Sequence, residues 1–559
     1  MTVLTDHLPL LTGAPSGIKK LRELILELAV RGKLVPQDPN DEPASDLLDR
    51  IAAEKSRLLA EGAIRKEKQS SEGREQAPPF ELPSSWTWAR LGDVAFSQAG
   101  FAFKSGGFNQ AGLGLPLIRI RDVGQPFSGT FFDGDFRPEF VVRHGDYLIS
   151  MDGEFRVALW TGSDSLLNQR VSRLVFFSSE LARRFVAEAL QAQLSQLQGV
   201  KAYTTVDHLS GAQISNSLIG LPPVREQHRI VAKVDELMAL CDALEAQQIN
   251  AEGAHAQLVQ ALLDSLTQAS DAEDFAASWK RLSEHFDTLF TTEASIDALK
   301  QTLLQLAVTG KLVPQVADDA PASELLKQIA AKKKMLISEG EIRAPKSVTK
   351  IDKEETPTRV PNTWEWVRLE SLLRRIGAGS TPLGGKKAYV EKGIKFLRSQ
   401  NVWNSGLRLS DVAFIPPATH KRMRGTHVEA GDLLFNITGA SIGRCALVPD
   451  DFDTGNVSQH VTVMRPVLAD MRSFLHVVLM SELVQKAVMD VQVGVSREGL
   501  SIGKLSQFLV PVPPIAEQHR IVAKVDELMS LCDQLKSRIR ETRALNEQLA
   551  TTWVERAVA

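Results

Sequence analysis

Four stretches of this sequence carry residue types that could do chemistry. Ala77-Pro78-Pro79-Phe80 has the outline of a loop that grips a target amine. Such a loop needs an Asn or Asp to accept from the amine, and Ala77 stands in that place. The run GSTPLGGKK at 379–387 is glycine-rich and basic, like a phosphate cradle. It breaks the GxxxxGK[ST] spacing, because Ser380 replaces the first glycine and Lys387 the hydroxyl residue. His228 and His519 fall in the first turns of a repeated helix and read as capping or partner contacts. Cys241, Cys445 and Cys532 show no CxxC or other metal-like spacing. Cys241 and Cys532 read instead as small apolar residues on a helix. No HExxH, GxSxG or nuclease-like carboxylate cluster is present. The sequence predicts no catalytic residue, no metal site and no cofactor in this chain.

The feature that stands out is a duplication. LELAVRGKLVPQ at 26–37 returns as LQLAVTGKLVPQ at 304–315. Pro83, Trp86, Trp88 and Arg90 return as Pro361, Trp364, Trp366 and Arg368. A second repeat closes each half: EQHRIVAKVDELMALCD at 226–242 and EQHRIVAKVDELMSLCD at 517–533, which differ only at Ala239 and Ser530. The stretches between are far less alike, and the second is 13 residues longer. Faint echoes survive, such as GDYLISMDG at 145–153 with GDLLFNITG at 431–439. Even drift would spread change along the chain. Constant frames around divergent inserts predict one scaffold presenting two different heads, with a pseudo-twofold internal duplication.

The periodicities say how the inserts are held. Residues 17–31 place Ile18, Leu21, Ile25 and Leu28 on one helical face, with Gly32 as a stop. Residues 44–60 form a second helix, with Ser45 as a plausible N-cap. Residues 66–78 are polar and aperiodic and read as a tether. The repeat predicts the same pair of helices and another tether over 295–345. After Pro222-Pro223 a long helix begins, with a seam of Ile230, Val234, Leu237, Cys241 and Leu244, recovering at Leu258 and Leu262. The second copy runs Ile521, Val525, Leu528, Cys532, Leu535, Ile539, Leu549 and Trp553. The spacing is that of a heptad. Both seams turn polar at matching places, His255 and Asn546. A helix of roughly 40 residues spans about 60 Å, and two of them antiparallel would hold the heads at opposite ends. The inserts read as mixed α/β: strands at 115–123, 147–151 and 173–177, helices at 182–194 and 481–490.

Composition fits a multidomain globular protein of 559 residues, 43% hydrophobic and 24% charged. With three cysteines, no apolar run long enough for a membrane helix and no secretory leader at the N-terminus, a reducing cytoplasm is the expected location. The net charge of −3 hides a local difference. Residues 92–225 carry 12 basic and 12 acidic side chains, whereas 370–515 carry 17 and 12. Any anion-binding surface is therefore local, and the chain alone should bind a polyanion only modestly.

The frames resemble the specificity subunit of type I restriction-modification systems. PPxxEQHRIVAKVDELM at 222–238 and 513–529, the repeated AVxGKLVPQ, and GDLLFNITGASIGR at 431–444 carry the resemblance. It covers nearly the whole chain. It implies an α/β (mixed α+β) protein with two globular target recognition domains separated by two long antiparallel coiled-coil helices. The corresponding boundaries are a helical region and tether at 1–80, a first recognition domain at 81–225 and a long helix at 226–270. A second helical region and tether at 271–358, a second recognition domain at 359–515 and a long helix at 516–559 follow. The resemblance further implies a non-catalytic subunit in which each domain reads one half of an asymmetric, bipartite double-stranded DNA site. Its partners are two adenine methyltransferase subunits and, through them, translocating restriction subunits. S-adenosylmethionine, ATP and magnesium belong to those partners. A methylation-only system, or a coiled-coil scaffold that never touches DNA, are the competing readings.

Major-groove readout favours Arg or Lys on guanine and Asn or Gln on adenine. Candidate DNA contacts in the first head are Lys104, Arg119, Arg121, Arg156, Gln169, Arg170, Lys201 and Tyr203. In the second they are Lys386, Lys387, Arg398, Gln400, Asn401, Asn436, Ser441, Arg444, Gln459, His460, Arg497 and Lys504. Trp86, Trp88, Trp364 and Trp366 lie in the constant frame and read as packing at the entry to each head. The GASIGR of the second head has no counterpart after GDYLISMDG in the first. The second head is also 13 residues longer and more basic, so the two half-sites should differ in sequence rather than form a palindrome.

Overall fold

The computed structural model describes residues 8–62, 64, 77–200, 208–343, 351–493 and 499–558. They form two compact units, one of 1–250 together with 543–559, the other of 251–542. The principal helices are α1 (Gly17–Val30), α2 (Ala44–Ala60), α3 (Arg183–Val200), α4 (Val224–Thr267), α5 (Glu293–Val308), α6 (Ala322–Ser338), α7 (Arg472–Met480) and α8 (Ile515–Val558).

In the first unit, α1 buries Leu21, Leu24, Ile25 and Ala29 and ends before Gly32, whose φ of 68° is left-handed. A side chain at Gly32 would also strike the Pro83 ring, whose Cγ lies 2.6 Å from the site of a Cβ. Helix α2 begins differently from the expectation. Pro43, not Ser45, is the cap residue, and the Ala44 N–H is satisfied by the Ser85 carbonyl at 3.0 Å. Arg22 at the middle of α1 donates to Asp242 and Glu245 of α4, while Arg229 near the start of α4 reaches Asp41 beyond the end of α1. Those two helices are therefore antiparallel here. Ser16 and Lys20 bond Glu547, and Arg31 and Lys33 bond the Val558 carbonyl. The end of α8 therefore runs parallel to α1, so the two long helices have opposite sense in this unit.

The second unit repeats three of these bonds at matching positions. Lys300 pairs with Asp533 where Arg22 pairs with Asp242. Arg520 holds Asp319 as Arg229 holds Asp41. Lys311 donates to the Thr267 carbonyl as Lys33 does to that of Val558. The second unit also has helices at Ala272–Ser283 and Phe286–Leu289, which the sequence reading did not foresee. They are held by the rings of Phe275, Trp279, Phe286 and Phe290, spaced 5.1 to 5.8 Å apart in succession.

The helical seam departs from the heptad in its distal part. Ile230, Val234 and Cys241 are buried, with Leu237 and Leu244 partly so. Farther on the buried row is Val259, Leu263 and Leu266, while Leu258 is 52% exposed and Leu262 lies at the margin. In α8, Ile521, Val525, Leu528 and Cys532 are buried and Leu535 and Ile539 flank them. Ala550 is then buried beside Trp553, and Leu549 is 46% exposed. The cause is geometric. A straight helix repeats every 3.6 residues, not 3.5, so the row drifts by one position over the polar middle. Both copies slip at the same place.

Each head hangs from a two-stranded neck, Thr87–Arg90 with Leu218–Leu221 and Glu365–Arg368 with Leu509–Val512, both antiparallel. The first head has an antiparallel sheet in the order Ala95–Ala99, Val171–Phe176, Tyr147–Ser150, Val157–Leu159. The second repeats it with Leu373–Ala378, Val461–Pro466, Leu433–Asn436 and Cys445–Leu447. A second sheet in each is built around a parallel pair, Leu115–Ile118 with Ser165–Leu167 and Ile394–Leu397 with Gly455–Val457. The strand expected over 115–123 stops at Ile118, because Asp122 accepts from the Arg119 N–H at 2.7 Å and closes a 3-10 turn. Asn401 does the same for the Arg398 N–H at 3.0 Å. Among the described residues no helix is long and apolar enough to cross a membrane.

Candidate nucleic-acid interface

The second neck orients its head through buried polar bonds. Trp364 is buried and its Nε1 donates to Glu517 Oε2 at 3.0 Å, while Gln315 donates to Oε1. Glu226 is buried at the equivalent start of α4. Burial pushes the carboxyl pKa of both glutamates up. Arg90 and Arg368 donate to the carbonyls of Asn216 and Gln507, tying the first neck strand to the turn that precedes the second. Trp86 is likewise buried, so both tryptophans pack the head entry.

Loops at one end of each pair of sheets form a rim. In the first head, Gly100 bonds Val171, Phe101 bonds Leu167, Asn168 bonds Ile118, and Leu209 bonds Met151 through their backbones. This gathers Arg119, Arg121, Arg156, Gln169 and Arg170 on neighbouring loops. Most of their charge is already engaged. Arg170 pairs with Asp152 at 3.0 Å, and His208 contacts the same carboxylate at 2.6 Å. Arg156 pairs with Glu154, and Arg121 donates to Ser128 and Thr130. Lys104 and Gln169 are exposed.

The second head builds the same rim from different side chains. Gly379 bonds Val461, Ser380 bonds Val457, Ser458 bonds Leu397, and Leu500 bonds Ile437. His460 Nδ1 lies 2.6 Å from the Thr438 hydroxyl, and Gln459 accepts from Thr381 at 2.6 Å. Arg398 donates to the Asp411 carbonyl and Gln400 to its carboxylate. Ser441 and Arg444 come from the adjoining loop, and Lys386 and Lys387 are exposed in the loop after Thr381. Lys504 is exposed in the short helix Ile502–Ser506.

Two candidates are corrected. Asn401 and Asn436 are fully buried. Asn401 donates to the Arg408 carbonyl and Asp411, and Asn436 donates to the Ser399 carbonyl and the Ser441 hydroxyl. Their amides hold the rim loops together and present nothing to a base. Lys201, Tyr203 and Arg497 lie outside the described residues. Two residues absent from the candidates belong to the rim. Trp403 has the Arg408 guanidinium 3.6 Å from its ring centroid and that of Arg444 at 3.7 Å. The signal was the lone aromatic in the tight hairpin VWNSGL, which pairs Trp403 with Gly406.

Among the described residues no group of three or more His, Cys, Asp or Glu side chains is placed to hold a metal. All three cysteines are buried, and burial pushes the Cys532 thiol up to about 11.

The comparisons agree on one family. The model for the type I restriction modification DNA specificity domain matches residues 83–252 and 361–542, more than half of the chain. The EcoAI specificity subunit of Escherichia coli is 35% identical over 97% of this chain and 94% of its own length. The EcoEI specificity subunit of the same species is 34% identical with the same coverage, and the EcoBI subunit 26% over 85% of this chain and 86% of its own. Two heads on duplicated frames, each frame matched by the same domain model, make this chain a member of the DNA-specificity subunit family of type I restriction-modification systems.

Proposed function

We propose that the two heads, 81–225 and 359–515, each read one half of an asymmetric, bipartite DNA site. The long helices dock two adenine methyltransferase subunits, and restriction subunits join through them. S-adenosylmethionine, ATP and magnesium are supplied by those partners.

One observation carries the reading. Scaffold bonds recur at matching positions, as in Arg229–Asp41 and Arg520–Asp319, while rim residues at matching places are exchanged in part. An Arg170–Asp152 pair stands in the first head where His460 and Thr438 stand in the second. A conserved mount with exchanged tips is what two different half-sites require. The remaining candidates, Lys104, Arg119, Arg121, Arg156, Gln169 and Arg170 in one head and Lys386, Lys387, Arg398, Gln400, Ser441, Arg444, Gln459, His460 and Lys504 in the other, supply base and phosphate contacts.

Replacing residues 92–225 with the corresponding head of a relative tests this. Mapping of methylated adenines should show one half-site changed and the other kept. Methylation unchanged at both halves refutes the assignment.

A further inference from the structure

The Arg408–Trp403–Arg444 stack has no counterpart among the described rim residues of the first head. Two cations cannot both lie within 3.7 Å of one ring centroid on the same face without overlapping, so they cover opposite faces of the indole. The indole is itself fixed, because its Nε1 donates to the Gln400 carbonyl at 2.8 Å and its strand pairs with Gly406–Leu407. The Arg444 loop is fixed as well: the Asn436 N–H bonds the Arg444 carbonyl, and Asn436 bonds Ser441 and Ser399.

Among the described residues neither guanidinium has a carboxylate or hydrogen-bond partner. The first head treats its rim arginines differently, since Arg156 is paired with Glu154 and Arg170 with Asp152. Stacking fixes the plane of a guanidinium and leaves its N–H edge free, so little side-chain freedom remains to be lost on binding. Each free edge can donate two parallel bonds to the O6 and N7 of a guanine.

Spacing decides what two such edges can read. Guanidiniums on the two faces of one indole lie about 7 Å apart, the sum of two ring contacts. Successive bases on a strand rise about 3.4 Å, so this separation is that of two base steps. We infer that Arg408 and Arg444 read two G·C pairs separated by one intervening pair, and that Trp403 is the positioning residue that sets their distance. This rests on the proposal that the second head reads DNA.

The test uses the full chain in complex with its methyltransferase partner, on duplexes carrying the site found by adenine-methylation mapping. The half-site read by residues 359–515 should contain G·C pairs two steps apart. Arg408→Lys and Arg444→Lys keep the charge and lose the fork. Each should relax one of those positions and weaken binding to the matched site roughly 5- to 150-fold, with the other half-site unaffected. Trp403→Ala should relax both positions together, and Trp403→Phe should restore them. Three results overturn the inference: a half-site without G·C pairs at that spacing, equal weakening on every sequence (a phosphate contact), or no change. If the wild-type complex discriminates half-sites but these variants leave discrimination intact, only the stack assignment falls. If the wild-type complex binds all sequences alike, the DNA-reading proposal falls first and this inference with it.

Discussion

Arg229 donates to the Asp41 carboxylate at 2.6 Å and so joins the start of α4 to the segment that follows α1. The pair is lopsided: the Asp41 side chain is 2% exposed and that of Arg229 is 36% exposed. Removing the cation strands a buried carboxylate, whereas removing the carboxylate leaves a cation that still reaches water. Arg229→Ala should therefore cost more, about 1–3 kcal/mol, and Asp41→Asn less than about 1 kcal/mol. Urea denaturation of the two variants ranks them, and the opposite order would contradict the account.

Glu517 gives a pH prediction. Burial raises its carboxyl pKa above the ordinary 4.5. A carboxyl that holds its proton more tightly when folded adds stability below the unfolded value, and this is lost as the pH rises through the folded one. The contribution of Glu517 should thus grow as the pH falls from neutral toward about 4.5. Glu517→Gln keeps an acceptor for Trp364 Nε1 and carries no charge. It should match or exceed the wild type in thermal midpoint at pH 7, with the gain vanishing at lower pH. A variant equally destabilised at both pH values would exclude this explanation.

Gly379 is required by close approach, not by φ. A Cβ there would lie 2.1 Å from the Val457 carbonyl oxygen, and at the matching Gly100 it would lie 2.1 Å from that of Asn168. Both partners are backbone and cannot swing aside. Gly379→Ala should cost about 1–3 kcal/mol and should disturb the half-site read by the second head alone. Gly503, whose Cβ would meet nothing within 4 Å, is the control. Thermal denaturation and half-site methylation together separate the two effects.

The drift of the helical row is testable by a pair of neighbours. Leu263 is buried at 1% exposure, and Leu258, which the heptad favours, faces outward. Leu263→Ala should lose about 2–4 kcal/mol. Leu258→Ala should stay within about 0.5 kcal/mol. Equal losses would restore the heptad phase.

The frames were legible in the sequence because they are written twice. Each match, such as Lys33 with Lys311, names a position that must do the same work in two places. The aromatics of helices Ala272–Ser283 and Phe286–Leu289 are not repeated in the first copy, where Leu8 and Thr12 stand at the places of Phe286 and Phe290, and their spacing was missed for that reason. The rim was legible in composition but not in orientation. Asn401 and Asn436 have the right chemistry for adenine, yet a linear sequence does not distinguish an amide facing solvent from one satisfied by loop carbonyls. Trp403 escaped for the opposite reason, since an aromatic residue in a variable loop looks like packing until the two arginines that cover it are seen. Leu258 and Leu549 were misplaced by the small difference between 3.5 and 3.6 residues per turn, which becomes a full position only after several turns.

The bonds from Lys20 to Glu547 and from Arg31 to Val558 set an order on how the protein is made. The second unit is one continuous stretch of chain, 251–542, and can fold as soon as it is synthesised. The first is not: its core includes Ala550, Trp553 and Val554. At 5–20 residues per second the ribosome needs roughly 15–60 s to travel from the end of its first segment to those residues. Through that interval α1 and the start of α4 keep an apolar face without its final cover, so the part of the chain born first is the part that finishes last.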